Sequence, residues 1–375
     1  MIQRKKLGEI ANISAGQGAP QGAENYSEEG TPFVKAGDLF DLVNGKCECD
    51  IQKVSDEVAK NHRLKLYPKG TVLFAKSGMS CMKGYVYATN AECYVVSHLA
   101  CIMPFDVDSK YLKYYFEYHR PNQLVKDASY PSISLADIAE MPINVFDAQT
   151  QAKIVDNLDA VNSLIGKSKE ELDLLDNIVK SRFVEMFGNR KNSNCNAKAL
   201  GEFCKFQQGT QVPVEDQIEE SLDGYRRFLR IIDYTQAPQP PRYVSVKGKE
   251  IEEDSVVIVR YGATAGFVGH GYAGILANNL FEIIPDEAVL SKEFLYLALK
   301  HGTFEQEIHD KAFGAAMPAL SFGMMNDIVV VTPSFDEQQC FMKFVEQVNK
   351  SKLAVKQSLE KLETLKKSLM QQYFG

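Results

Sequence analysis

Residues 154–179 read IVDNLDAVNSLIGKSKEELDLLDNIV, and the spacing of their apolar side chains decides the fold of the chain. Apolar residues recur at alternating steps of four and three, which is the a/d spacing of a coiled-coil seam. The seam positions are Ile154, Leu158, Val161, Ile165, Leu172, Leu175 and Val179, with polar Ser168 at the one remaining slot. The spacing predicts a helix over 149–187, about 58 Å long, whose apolar seam needs a partner.

The partner predicted for this helix is a second copy of the pattern at the C-terminus. Its seam positions are Phe341, Val345, Val348, Val355, Leu359 and Leu362, with Lys352 as the polar interruption. Because one chain holds both helices at high effective concentration, we expect them to form an antiparallel coiled coil with each other. Unrelated surface helices and pairing between two chains are the alternatives. Asp147 is expected to cap the first helix, and Gly188 to end it in the left-handed conformation.

The two helices belong to an internal repeat that runs through the chain. From 131 to 188 one ungapped register holds: Pro131-Ser132-Ile133-Ser134 is repeated as Pro318-Ala319-Leu320-Ser321, Gln151 as Gln338, and Phe187-Gly188 as Phe374-Gly375. Nearer the start, Leu7-Gly8-Glu9 is repeated as Leu200-Gly201-Glu202. Such a register over so many residues indicates a duplicated unit.

Each half begins with a compact unit of strands and short helices. An apolar run at 72–75 ends in Lys76-Ser77-Gly78, and its repeat at 256–259 ends in Arg260-Tyr261-Gly262. Apolar runs bounded by glycine and proline are typical of buried strands. The sequence predicts an α+β fold with an internal pseudo-twofold repeat, in which two globular domains (1–146 and 189–334) are separated by two long helices (147–188 and 335–375).

Composition places the chain among globular cytoplasmic proteins. Hydrophobic residues make up 45% and charged residues 24%. No run reaches the eighteen or so apolar residues that a membrane span requires, and the N-terminus carries no secretory signal pattern. The eight cysteines show no disulfide or zinc rhythm, so we expect reduced thiols and no metal. The net charge of −7 is unusual for a DNA-binding protein and suggests weak DNA binding without partners.

The repeated motifs, in their order, resemble the specificity subunits of type I restriction–modification systems over the whole chain. The shared features are the opening Leu-Gly-Glu with a glycine and proline loop (7–20 and 200–213), the strand that ends in a basic residue, any residue and glycine (76–78 and 260–262), the Pro-x-Ile/Leu-Ser turn, the glutamine at the head of each helix, and the closing Phe-Gly. The resemblance implies two target-recognition domains that each read half of a split DNA site. It also implies helices that dock methyltransferase subunits.

The partners implied are double-stranded DNA, two methyltransferase subunits, and restriction or translocase subunits in some assemblies. DNA recognition needs cations and backbone donors for phosphates, and hydrogen-bonding side chains for base edges. Residues with this chemistry lie in the repeated loops. The candidates are Gln17, Lys35, Lys76, Ser77, Gly78, Tyr130, Ser132, Gln208, Gln211, Arg230, Arg260, Tyr261, Gly262 and Thr264. His98, which aligns with Asn279, is expected to be a satisfied interior histidine.

Catalytic motifs are lacking, so no cofactor and no enzymatic activity are expected of the chain. The only Pro-Pro, at 240–241, follows Gln239 rather than the Asn or Asp of an adenine methyltransferase motif. Gly166-Lys167-Ser168 imitates the end of a P-loop, but Val161 stands where the first glycine is required. Two other functions stay open: a specificity module of a related system that combines cutting and methylation, and a coiled-coil adaptor whose globular domains bind proteins.

Overall fold

A computed structural model describes residues 2–188, 196–236, 239–304, 307–308 and 319–375. The chain forms two compact units. The first comprises Met1–Lys169 with Gln357–Gly375, and the second comprises Glu170–Lys356. Pro318 of the predicted turn lies outside the described residues. The division into four segments stays a prediction.

The first unit contains three small sheets. Its strands are β1 (Gln3–Lys6), β2 (Ala11–Ala15), β3 (Thr31–Val34), β4 (Lys53–Val54), β5 (Val72–Ala75), β6 (Val86–Ala88), β7 (Tyr94–Val95), β8 (Leu99–Pro104) and β9 (Pro142–Val145). An antiparallel sheet has the order β2-β8-β5-β6, a second sheet β4-β3-β7 contains the parallel pair β3–β7, and β1 pairs with β9. The helices are α1 (Asp38–Val43), α2 (Asp56–Asn61), α3 (Ser109–Tyr118) and α4 (Leu135–Ala139), and then α5 (Ala148–Phe187) begins.

The second unit repeats this plan. Its strands are β10 (Ala197–Ala199), β11 (Cys204–Gln208), β12 (Arg226–Leu229), β13 (Arg242–Val244), β14 (Glu250–Ile251), β15 (Val256–Val259), β16 (Val268–Gly269), β17 (Gly274–Leu276), β18 (Leu280–Pro285) and β19 (Val329–Val331). The order β11-β18-β15-β16 matches the four-stranded sheet of the first unit, and β12 and β17 are again parallel. The helices are α6 (Leu200–Phe203), α7 (Ile231–Thr235), α8 (Lys292–His301), α9 (Phe322–Asn326) and α10 (Phe335–Phe374).

The apolar runs chosen from the sequence are central strands in both units. Every residue of β5 and of β15 is buried. Each of these strands lies between two neighbours of its sheet. Because consecutive residues of a strand point to opposite faces, burial of all four side chains means that both faces are covered, which an uninterrupted apolar run provides. The predicted α+β class with two repeated units is confirmed.

In the second unit, α5 and α10 pack against each other in opposite directions. From the C-terminal end of α5, Phe187 contacts Phe341 with ring centroids 5.6 Å apart. Arg182 then lies over the ring of Phe344, and Asp176 forms a 2.6 Å ion pair with Lys352. As the residue numbers fall along α5, the numbers of the residues they contact rise along α10. The two helices are therefore antiparallel here, as predicted. Lys352, which interrupts the seam, has its charge neutralised by this pair.

In the first unit, the start of α5 shares a core with the end of α10. Ile154 and Leu158 are buried in the same cluster as Met370 and Phe374. The side-chain amide of Asn157 donates a 3.1 Å hydrogen bond to the hydroxyl of Tyr373. All thirteen predicted seam positions in the two helices are buried or half-buried, which agrees with the spacing from which they were predicted.

The two ends of α5 are held differently. Asp147 caps it as expected, because its carboxylate accepts a 3.0 Å hydrogen bond from the amide of Thr150. This bond lowers the pKa of the Asp147 carboxyl. The expectation for Gly188 was wrong: its backbone amide donates to the carbonyl of Val184 at 2.8 Å, and its φ is not positive. The helical bonding simply continues to this residue.

A buried glutamine joins each long helix to the globular part of its unit. The side-chain oxygen of Gln151 accepts the amide of Asp108, the N-cap of α3, at 2.8 Å, and its nitrogen donates to the carbonyl of Phe146 at 2.7 Å. Gln338 accepts the amide of Ser291, the N-cap of α8, at 3.2 Å in the same way. Both side chains are buried. The repeated glutamine therefore satisfies backbone groups that would otherwise be unpaired at a helix start.

Replacing Gln151 or Gln338 with leucine is expected to lower the free energy of unfolding by about 1–3 kcal/mol, because a partly buried backbone amide loses its acceptor. Chemical denaturation of each variant measures the loss. Gln339→Leu is the matched control, since this neighbouring glutamine is exposed. An equal loss in Gln339→Leu would show that helix propensity, and not the hydrogen bond, is responsible.

One cysteine expectation is corrected by the structure. Cys47 and Cys49 are bonded to each other through their sulfurs, across a single intervening residue. The free thiols in the described part of the chain are Cys81, Cys93, Cys101 and Cys204, which are buried, and Cys340, which is exposed. Burial raises the pKa of Cys101 and of Cys204 to about 12, so these thiols stay protonated. Among the described helices none is long and apolar enough to cross a membrane.

Candidate nucleic-acid interface

In the first unit, the loop after β5 is paired with the Pro131–Ser134 segment. The amide of Gly78 donates to the carbonyl of Pro131 at 3.0 Å, and the amide of Ile133 donates to the carbonyl of Lys76 at 2.8 Å. Ser77 and Ser132 are partners in an isolated antiparallel β-bridge. Gly78 has φ +75°, a conformation that favours glycine, and an added Cβ would meet no neighbour. Two motifs that are distant in sequence therefore form one rigid loop pair.

His98 belongs to this loop pair. The expectation that it is an interior histidine was wrong. The side chain is exposed. Its backbone carbonyl accepts the amide of Lys76 at 2.9 Å, and its Nδ1 lies 2.8 Å from the hydroxyl of Ser77. With Nδ1 engaged, Nε2 points away from Ser77 as a second polar atom. Position 98 directly precedes β8, where the strand direction brings it beside the end of β5.

The second unit builds the same loop pair from different side chains. The amide of Leu320 donates to the carbonyl of Arg260, and the amide of Arg260 donates to the carbonyl of Asn279, both at 2.9 Å. Tyr261 bridges to Ala319, and Gly262 has φ +90°. Asn279 thus occupies the place of His98. The alignment of these two residues in the repeat was the sequence signal that they share a role.

The Arg260 guanidinium lies close to two aromatic rings and to a backbone carbonyl. Its Nε donates to the carbonyl of Leu320 at 3.3 Å. The guanidinium carbon is 4.7 Å from the ring centre of Tyr261 and 5.9 Å from that of Phe322. Over the described ranges, no carboxylate lies within ion-pair distance of Arg260. The two terminal nitrogens remain available for a bidentate acceptor such as guanine or a phosphate.

Other predicted residues of the loop pairs are accessible. Lys76 is half-buried, and within the part of the chain that the structure describes its ammonium group has no ion-pair partner. Tyr130 is 82% exposed, and Ser132 is exposed beside it. Thr264 is exposed, with its carbonyl accepting the amide of Phe267 at 3.0 Å. The loop pair thus presents hydroxyl groups and one cation in each unit.

Lys35 and Arg230 are equivalent residues, but both are engaged within their units. The amide of Lys35 donates to the Asp38 carboxylate at 2.7 Å, and that of Arg230 to the Asp233 carboxylate at 2.8 Å. The Arg230 guanidinium also pairs with Asp233, whose side chain is only 1% exposed. The Lys35 ammonium donates to the side-chain oxygen of Gln52 at 2.6 Å and lies 4.0 Å from the ring centre of Tyr26. These bonds stabilise the start of α1 and of α7.

The three predicted glutamines lie in the loops that follow β2 and β11, or at the end of β11. The side-chain nitrogen of Gln17 donates a hydrogen bond to the carbonyl of Arg63 at 3.0 Å, and its side-chain oxygen accepts one from the backbone amide of Lys65. Gln208 donates to the carbonyl of Asn278 at 2.9 Å. Gln211 is exposed. Gln17 and Gln208 therefore hold neighbouring loops in place.

One group of possible metal ligands exists among the described residues. Ligand atoms of Cys47, Cys49 and Asp50 lie within 4.8 Å of one another at the surface. Because the two sulfurs are bonded to each other, they do not supply a pair of thiolates, which are the form that binds zinc. We assign no metal or cofactor to this group.

Two curated relatives with similar sequences are specificity subunits of type I restriction enzymes. The chain is 23% identical over 197 residues to the MjaVIII type I restriction enzyme specificity subunit of Methanocaldococcus jannaschii, covering 52% of this chain and 45% of that protein. It is 30% identical over 143 residues to the MjaIX specificity subunit of the same organism, covering 36% and 31%. The chain thus spans less than half the length of these curated relatives.

Two solved structures share the fold. The S subunit of a type I restriction–modification system from M. genitalium matches with a TM-score of 0.57 at 15% identity, covering 100% of this chain and 96% of that one. A chain from a study of complex assembly and conformational transition of the type I system matches with a TM-score of 0.64 at 16% identity, covering 100% and 97%. The sequence profile of the type I restriction modification DNA specificity domain matches twice, at residues 2–174 and 192–365. The chain belongs to this family of type I restriction–modification DNA specificity proteins.

Proposed function

We propose that this chain is the non-catalytic specificity subunit of a type I restriction–modification complex, in which each unit reads one half of a two-part duplex DNA target. One observation carries the proposal. In both units, a cation at the end of the central strand is held in a loop pair with the Pro-x-Ile/Leu-Ser segment, and no described carboxylate neutralises it. An unpaired cation on backbone that hydrogen bonds hold in place suits a phosphate, or the acceptor atoms of a base edge.

Direct DNA contact is proposed for the residues of the two loop pairs. These are Lys76, Ser77, Gly78, His98, Tyr130 and Ser132 in the first unit, and Arg260, Tyr261, Gly262 and Thr264 in the second. Lys35, Arg230, Gln17 and Gln208 are proposed to support the loops, because their polar atoms already bond within the chain. Gln211 is exposed and remains a contact candidate. The different side chains in equivalent places, Lys76 against Arg260 and His98 against Asn279, fit two domains that read different half-sites.

The long helices are proposed to dock two methyltransferase subunits, with restriction subunits joining in some assemblies. Apolar side chains outside the seam support this role. Leu164 and Leu365 are 49% and 46% exposed in the first unit, and Leu174, Ile178 and Leu353 are similarly exposed in the second. Leucine on an outward helix face is typical of a surface that a protein partner covers. A chain that binds DNA and methyltransferases in this way is proposed to act in the cytoplasm.

The test is to purify the tagged chain from its native cells, to identify any methyltransferase subunit that co-purifies with it, and to sequence the methylated DNA of those cells. We expect co-purification and methylation at one split, asymmetric target. A chain that binds only a protein or peptide, with no methylated target, would establish the adaptor function instead. If one associated chain both methylates and cleaves DNA, the protein is instead the specificity module of a system that combines cutting and methylation.

A further inference from the structure

A groove of about 710 Å³ lies wholly within the first unit, and no residue of the loop pair lines it. Its walls are the end of α3, the turn Met79–Lys83, the start of β6 and the last turns of α10. Four cations line it: Lys83, Arg120, Lys366 and Lys367. The chain as a whole is acidic, so this concentration of positive charge is a local feature that the loop pair does not explain.

The carboxylates of the groove do not cancel these cations. Glu117 already bonds Lys113 at 3.1 Å and Lys366 at 3.5 Å. For Lys83, Arg120 and Lys367, the described ranges contain no carboxylate within ion-pair distance. Glu363 is the second acidic residue of the lining and is exposed. The groove therefore carries a net positive charge that is open to solvent and fits a polyanion.

Hydrogen bonds hold the walls in place. The side-chain amide of Asn122 donates to the carbonyl of Met82 at 3.1 Å, which ties the segment after Arg120 to the turn that carries Lys83. The imidazole of His119 bonds the carbonyl of Phe374 at 3.0 Å, which ties the end of α3 to the end of α10. Cations on fixed backbone lose less freedom when they bind an anion than cations on a mobile loop.

The groove is close to the proposed DNA-reading loop along the chain. Lys83 is the last residue of the single 3-10 turn that begins after Gly78. At about 2 Å of rise per residue, the turn carries Lys83 about 10 Å from the loop. Phosphates of one DNA strand are spaced about 3.4 Å along the helix axis, so the groove is within reach of backbone that flanks the bases read by the loop.

In the second unit, several equivalent positions that the structure describes lack these cations. In the repeat, Gly84 corresponds to Gly266, and Lys83 therefore to Ala265, which is buried. The buried side chain of Ile308 packs against Gly266, within 2.5 Å of an added Cβ. Lys366 corresponds to Val179, whereas Lys367 keeps its charge as Lys180. Over the positions that the structure describes, apolar side chains thus stand where Lys83 and Lys366 line the groove of the first unit.

We propose that this groove binds the phosphate backbone of duplex DNA that flanks the half-site read by the first unit. The inference rests on the proposed function, since it assumes that the loop pair contacts DNA. It predicts that the two units contribute unequally: the first supplies more of the salt-dependent, sequence-independent affinity.

The test uses the full chain with its methyltransferase subunits and the double variant Lys83→Gln with Arg120→Gln. Binding to a fluorescent non-specific duplex is measured over a range of salt concentrations. Loss of two phosphate contacts is expected to reduce the slope of log affinity against log salt by about 1.8. A fourfold rise in salt should then weaken the wild type about tenfold more than the variant. The matched control is Lys60→Gln with Lys247→Gln, two exposed lysines outside the groove, which should keep the wild-type slope.

Three results decide between the readings. An unchanged slope in the groove variant overturns the inference. An unchanged slope together with loss of the methyltransferase on gel filtration also overturns it, and assigns the groove to a protein partner. A reduced slope in a complex that shows no preferred target would support the groove and overturn the proposed function, so the two failures are separate. Both variants change exposed side chains, and thermal unfolding verifies that each remains folded.

Discussion

Phe341→Ala is expected to lower the free energy of unfolding of the second unit by about 3–5 kcal/mol. Phe341 is fully buried near the start of α10, where its ring meets Phe183, Phe187 and Phe294 at centroid distances of 5.6 to 5.9 Å. These rings come from α5, α8 and α10, so the alanine leaves a cavity at the point where three helices meet. Urea unfolding followed by tyrosine fluorescence measures the change.

The matched control is Phe335→Ala in the same helix. Phe335 is 63% exposed, and its removal should change the free energy of unfolding by no more than about 0.5 kcal/mol. A loss in Phe341→Ala as small as that of the control would mean that α5 and α10 are not packed together in this unit. The predicted seam would then be incorrect at its best-contacted position.

Arg260→Ala is expected to weaken binding to the specific target by about 1–3 kcal/mol, or about 5- to 150-fold. The guanidinium is oriented by Leu320 and flanked by Tyr261 and Phe322, so little of its freedom remains to be lost on binding. Competition binding against duplexes mutated in one half-site at a time measures the effect. Only the half-site read by the second unit should lose its influence.

Arg260→Lys separates two modes of contact. A lysine keeps the charge for a phosphate but loses the fork that pairs with guanine. If Arg260 reads a base, the lysine variant relaxes the sequence preference as alanine does; if it holds a phosphate, the preference is retained. Arg226→Ala is the matched control, because its guanidinium already pairs with Glu250 at 3.2 Å. Equal loss of binding in this control would contradict a specific role for Arg260.

The repeat and the helix seam could be predicted because they are periodic signals within the sequence. Alternating steps of four and three placed Ile154 and Phe341 in the interior, and the matched glycines placed Lys76 and Arg260 at the ends of equivalent strands. Periodicity depends on few assumptions, since burial of one helix face or of both strand faces produces it directly.

The details of the interface required the three-dimensional arrangement. His98 has a strand-like sequence context, and its exposure follows from the fact that it ends a turn beside β5 rather than lying within a sheet. Arg230 was a candidate for DNA contact because of its charge, and the structure shows that its guanidinium pairs with Asp233 at 3.0 Å. The groove brings Lys83, Arg120 and Lys367 together from distant segments, and no local sequence pattern predicts that they lie close to one another.

The glutamine joints at Gln151 and Gln338 explain how such a protein can diversify. Each glutamine binds main-chain groups of its neighbour, the amide of Asp108 in one case and of Ser291 in the other. A joint made to the main chain is indifferent to side-chain identity at the contacted residue. Either globular part can therefore accumulate substitutions while the hydrogen bond that joins it to its long helix is preserved.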